Sequence, residues 1–299
     1  MAMGRNAGAR HDRPPRPGPD LDLEAMPRRT VAITLAALLL LASAGAAQFR
    51  GRGGRQGFNG RALQYAKLED FDGGYQFCRL VFRNGSNGDG AGWNVDFPRA
   101  DENLSIRLSE LSRTPVSMDE NREPKTLLLN LRQPEVFHCP ILMMTEPGGV
   151  YFDDEEVANL RTYLLKGGFL WADDFWGEYA WAYWENQIRR VLPSGQYPIY
   201  DVPTDHILFH QMFTVKEFPQ IPGIGYWDGA DRTYERPDAR QAHLRAINDD
   251  RGRIMVLMTH NTDFGDSYEQ EAVDPAYFMK FSVPGYAFGI NVLVYAMTH

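Results

Sequence analysis

Three short segments of this chain place acids where they could move protons or hold a cation. Asp173-Asp174 follows the apolar run Phe169-Leu170-Trp171-Ala172. Glu146 follows residues 140–145 and precedes Pro147-Gly148-Gly149. His260-Asn261-Thr262-Asp263-Phe264-Gly265-Asp266 follows the run 254–258. Carboxylates can act as general acids or bases or bind a divalent metal, and histidine titrates near neutral pH. Asp173, Asp174, His260 and Asp263 are therefore the candidate acid-base groups. Asp173, His260 and Asp263 are candidate metal ligands, so a divalent cofactor is open. Glu146, Asn261, Asp266 and Trp176 are candidates for holding a ligand. Plainer roles stand beside these: a helix cap for Asp174, turns for Asp263 and Asp266, a surface position for Glu146.

The surrounding pattern says how such residues would be positioned. Asp153 with Glu156 makes a capping box. Val157, Leu160 and Leu164 repeat at helical spacing, and Gly167-Gly168 ends the helix. The apolar strand and its two acids come next. In an open α/β sheet, ligands bind beyond the carboxyl ends of the strands. If the runs before Glu146, Asp173 and His260 are parallel neighbours, the three loops meet at one sheet edge. Residues 75–82 and 126–131 read as further strands, and so does 206–215. Residues 178–192 and the apolar 286–297 read as helices, and Asp101 reads as the cap of a helix through Leu111. Strand and helix signals alternate, which predicts an α/β fold with a mostly parallel sheet. The loop-rich segment 219–242 reads as a cover for a site.

Other patterns are weaker or exclude chemistry. His206 and His210 share one face of a strand, but zinc needs a third ligand. Trp171, Trp176, Trp181 and Trp184 surround the acids and serve either as core or as a stacking platform for a sugar. There is no Gly-x-Ser-x-Gly elbow, no Cys at a strand-to-helix turn, no phosphate loop and no dinucleotide fingerprint, so acyl transfer by a Ser or Cys nucleophile has little support and no nucleotide motif is present. The net charge is −8 and the only basic cluster is Arg50–Arg55, which argues against a nucleic-acid partner. Cys78 and Cys139 lie in apolar runs, and the expectation is two free buried thiols rather than a disulfide.

Residues 1–47 differ in kind from the rest. Arg28-Arg29, the apolar run 31–41 and the small residues 42–47 form a secretory signal, with cleavage expected near Ala46–Gln48. Translation from Met26 would give this signal normal proportions. An uncleaved membrane anchor is the alternative. Residues 48–60 read as a flexible linker and 61–299 as one α/β domain, exported to the periplasm or cell envelope. Beyond the leader, no segment reads as a membrane span, so contact with a membrane would come only through an uncleaved leader.

Several motifs in order carry a resemblance. They are residues 75–82, Gly92-Trp93-x-x-Asp96-Phe97-Pro98, Thr145-Glu146-Pro147-Gly148, the run Leu160-Arg161 to Asp173-Asp174, His260-Asn261-x-Asp263-x-Gly265-Asp266, and Gly289-Ile290-Asn291 with Tyr295-Ala296-x-Thr298-His299. Together they resemble the DUF4159 family, a bacterial family of unknown function, from about Arg61 to His299. The resemblance implies a three-layer Rossmann-like fold similar to class I glutamine amidotransferases and trehalose-utilisation proteins. Where amidotransferases carry a nucleophilic cysteine, this chain has Ala172-Asp173-Asp174-Phe175, so their thioester chemistry does not transfer. The expected function is binding of a small polar or carbohydrate ligand at the strand-end cleft. The alternatives are a hydrolase, metal-assisted or using a carboxylate and His260, and a partner-binding module of an envelope complex.

Overall fold

The computed structural model describes residues 65–299, within one compact unit, Gln64–His299. The expected leader, signal, linker and domain start lie outside the described residues.

The chain forms β1 (Phe77–Leu80), α1 (Arg99–Ser112), β2 (Thr126–Leu129), β3 (Ile141–Thr145), α2 (Asp154–Leu165), β4 (Phe169–Phe175), α3 (Gly177–Val191), β5 (Tyr200–Asp201), β6 (His243–Asn248), β7 (Ile254–His260), α4 (Phe264–Glu269) and α5 (Val283–Thr298). In these labels the sheet order is β2-β1-β3-β4-β7-β6-β5. The first five strands are mutually parallel, and β6 runs against both its neighbours. The mostly parallel sheet is thus as expected.

Alternation along the strands builds two cores. Leu142, Met144, Leu170 and Ala172 face one way, toward Leu160 and Leu164 of α2 and Trp184 and Ile188 of α3. Ile141, Met143, Phe169 and Trp171 face the other way, toward Leu104 and Leu108 of α1 and Phe288 and Val292 of α5. Buried side chains of this size each contribute about 2 kcal/mol, so both sheet faces must be covered. The result is the three-layer Rossmann-like arrangement. Its strand order reverses between β1 and β3, and the loops after these strands flank that reversal.

Four expectations are corrected. Residues 206–215 are not a strand. His206 Nδ1 accepts from Leu208 N, starting a short 3-10 turn at Ile207–Phe209. Asn291 of α5 then accepts from Met212 N and Phe213 N and donates to Leu208 O and Phe213 O, so a side chain replaces the strand ladder. The shared His206–His210 face is lost with the strand. Asp101 does not cap α1; the cap is Pro98, without a side-chain bond, and Asp101 is buried in the first turn. Cys78 and Cys139 form a disulfide rather than remaining free. Finally, Pro275–Thr298 is long and apolar enough to cross a membrane by length and composition, but most of its apolar window is buried in the protein. It covers the sheet, as the expected buried terminal helix does.

Candidate functional site

The carboxyl ends of β1, β3, β4 and β7 share one edge, and acids gather there. Asp174 comes from the end of β4. The register between β4 and β7 slips between Asp173 and Phe175, and Asp174 sits in the slip at φ 58°. Such a bulge re-aims one side chain out of the strand's alternation. Trp176 Nε1 donates to Asp174 Oδ1 at 2.9 Å and fixes the carboxylate. Asp263 follows β7 and caps α4, accepting from Asp266 N at 2.7 Å. Asp96 comes from the loop between β1 and α1, at φ 63°. One carboxylate oxygen from each of Asp96, Asp174 and Asp263 lies within 4.8 Å of the others, and all three residues are buried.

Asp96 is held by its surroundings. Arg79, 1% exposed in the middle of β1, pairs with Asp101 through Nε at 2.9 Å. Its Nη1 donates to Trp93 O, Val95 O and Thr145 Oγ1 at 3.0, 3.1 and 2.7 Å. Burial opposes the guanidinium's charge, but Asp101 outweighs it and keeps the group protonated. Arg79 therefore ties the loop carrying Asp96 to β1 and β3. Gly265 lets Asp96 approach: a β-carbon there would lie 2.0 Å from Asp96 Oδ2. That oxygen is buried and has no hydrogen-bond partner among the described residues.

Further acids form the rim. Asp266 Oδ2 accepts from Ile224 N at 2.5 Å, and Glu235 Oε1 accepts from Gly223 N at 2.8 Å. Gly223 brings the covering segment in close; a β-carbon there would meet Glu235, Asp266 and Asp263 oxygens at 2.9, 3.3 and 3.5 Å. Glu146, at φ 51°, accepts from Gly92 N at 2.7 Å and from Ala91 N. Burial pushes Asp96, Asp174 and Asp263 well above the usual carboxylate range, and neighbouring acids push them further. Burial also raises Asp266 to about 6 and Glu235 to about 7. So many acids share one site without enough cationic charge that protons, or a cation, must neutralise them.

The structure brings together Asp174, Asp263 and Asp266, with Glu146 at the rim. It sends other candidates elsewhere. Asp173 is committed to structure: Oδ2 accepts from Phe264 N and Gly265 N at 3.0 and 3.2 Å, and Oδ1 accepts from Thr259 Oγ1 at 2.5 Å. Burial raises it to about 7 against those bonds. Its partners hold the start of α4, so Asp173 is not a cation ligand here. His260 is turned away. Its Nε2 donates to Gly177 O at 3.1 Å, Arg245 reaches its Nδ1 at 3.3 Å, and Phe175, Trp181 and His243 rings pack on it. Burial lowers it to about 3. It is a neutral core histidine, and strand alternation explains why: Thr259 faces Asp173, so His260 faces the opposite side. Asn261 accepts from Gly177 N and donates to Gln241 O, both at 2.8 Å, joining two loops. Trp176 serves Asp174. Trp171, Trp176 and Trp184 are buried, which closes their faces to a sugar. Asp174 does not cap α3, whose cap is Trp176 without a side-chain bond. Glu146 is half-buried, its carboxylate held by the Ala91 and Gly92 N–H groups.

Asp96, Glu235, Glu269 and Arg79 were not among the sequence candidates. Arg79 left a signal: a lone charge inside an apolar strand needs a buried acid. Asp96 and Glu235 sit in loops whose sequence gives no direction. A separate hollow of about 980 Å³, lined by Lys166, Tyr200, Asp249, Arg253 and His299 among others, opens beside the residues that precede β4, far from this edge.

A family model described as a domain of unknown function (DUF4159) matches residues 77–297. No curated protein matches the chain.

Proposed function

The chain belongs to the DUF4159 family, and from that premise we propose that it binds a hard divalent cation through Asp96, Asp174 and Asp263. Through the cation's open positions it binds a small, oxygen-rich polar ligand such as a carbohydrate. The observation that carries this reading is Asp96, whose buried Oδ2 has no hydrogen-bond donor among the described residues and whose carboxylate lies within 4.8 Å of two other buried carboxylates. An all-carboxylate set suits Ca²⁺, Mg²⁺ or Mn²⁺ rather than a soft metal. Contact through hydroxyl groups on the cation replaces the stacking that the buried indoles cannot supply.

A second reading, metal-assisted hydrolysis, is favoured by Glu235. Its carboxylate faces Asp263 and Asp266 across Gly223, where it could accept a proton from a water on the cation. A carboxylate–histidine pair is not proposed, because His260 is elsewhere. The mostly parallel three-layer sheet, with Asp173-Asp174 at a central strand end, supports the closer kinship to the amidotransferase-like group. The Cys78–Cys139 disulfide supports export through the expected signal segment, since oxidising compartments maintain such bonds.

The test is metal analysis of the purified full chain after stripping with EDTA and reloading with Ca²⁺ or Mn²⁺. The expected result is tight retention that Asp174→Asn abolishes, with glycan-array binding or hydrolysis that chelator removes. No retention at millimolar cation would overturn the proposal.

A further inference from the structure

We propose that Asp96 bridges two cations, the second held by Asp96, Asp266 and Glu269. One oxygen from each of these three residues lies within 4.8 Å of the others, Asp96 and Asp266 buried and Glu269 half-buried, and Asp96 belongs to both sets. The inference rests on the first cation site being real.

Three observations carry it. First, Asp96 is 8% exposed, its carboxylate offers an oxygen to both sets, and its Oδ2 has no partner among the described residues, so the shared residue carries a buried, unsatisfied acceptor. A carboxylate has two oxygens and about four lone-pair directions, enough for two cations. Second, α4 is built to serve both positions. Asp263 caps it, while Asp266 and Glu269 are three residues apart and so lie on one helix face. Asp173 anchors the start of α4 through Phe264 N and Gly265 N. One anchored turn therefore aims ligands at both positions. Third, the charge asks for two. Fully ionised, the five carboxylates of the two sets carry five negative charges, of which one dication offsets two and a pair offsets four. Arg79 cannot make up the difference, because Asp101 engages it in a buried pair. Carboxylate-bridged metal pairs sit about 3.5–4 Å apart, a spacing one shared Asp can span. The ligands are all oxygen, so the class is again hard divalent cations.

The experiment uses the EDTA-stripped full chain and Mn²⁺, which reports its own neighbours by electron paramagnetic resonance. Bound Mn²⁺ is counted by equilibrium dialysis. Two ions per chain with an exchange-coupled spectrum are expected, falling to one ion and an uncoupled spectrum in Glu269→Gln. One isolated ion in the parent chain would overturn the second position and leave the first standing. No bound ion would overturn both. Two coupled ions that persist in Glu269→Gln would overturn this ligand assignment. If that variant fails to fold, as judged by its thermal transition, the parent chain's count and spectrum decide alone.

Discussion

At the scale of residues, the balance is between buried acids and what neutralises them. Asp96, Asp174 and Asp263 repel one another in a site that disfavours charge. Function and stability therefore pull apart here. Asp96→Asn removes one repelling charge, so the metal-free protein is expected to become more stable, by ~1–2 kcal/mol. The same change removes the shared ligand, so cation no longer raises the melting temperature. Calorimetry with and without Ca²⁺ checks both halves, and a destabilised metal-free Asp96→Asn would contradict the repulsion argument. Backbone conformation points to the same place. Among the described residues, Asp96, Glu146, Asp174 and Asn261 are four of the six non-glycine residues with positive φ. These turns aim side chains at the edge that regular strands would point elsewhere.

At the scale of elements, loops are made rigid by ties from the strands beneath them. Arg79 on β1 holds the Asp96 loop, the bulge in β4 aims Asp174, and Asp173 holds α4. The disulfide adds another tie, from Cys78 on β1 to Cys139 just before β3, closing a span of 61 residues. Cross-linking a loop of that length restricts the unfolded chain and stabilises by about 2–4 kcal/mol. The double variant Cys78→Ala with Cys139→Ala should lose that amount in urea unfolding, as should the reduced parent protein. Equal stability of oxidised and reduced protein would show that the bond adds nothing.

At the scale of the whole molecule, stability depends on pH through groups of opposite sign. Burial raises Asp173 and Glu235 to about 7, so the folded state is favoured as the pH falls from about 7 toward their ordinary range near 4. His260 works the other way. Its folded pKa is about 3, against 6.5 for the ordinary side chain. Below about 6.5 the unfolded chain takes up a proton that the folded chain refuses. Its contribution is therefore complete above that pH and is lost as pH falls toward about 3. Buried as it is, His260 should account for a few kcal/mol of acid destabilisation. In His260→Phe, which keeps an aromatic ring in the same cage, the drop in stability from about pH 7 to about pH 4.5 should be smaller than in the parent. Parallel curves for the two proteins would show that His260 titrates freely.

The sequence by itself determined the layers. Apolar runs of strand length, the capping box at Asp153 and the glycines after Leu165 are local signals, and local physics is enough to honour them. It also determined that polar loops follow β3, β4 and β7. It could not say which way those loops turn. Asp173 and Asp174 are neighbours of identical type, yet one braces a helix and the other faces the cluster, because a register slip against β7 separates them. His260 looked like chemistry and became core, since its side of β7 is settled by pairing with β4 and β6. Asp96 and Glu235 reach the edge only because Arg79, Gly265 and Gly223 let distant segments close on it. These contacts span long stretches of chain, and only tertiary packing brings such distant partners together.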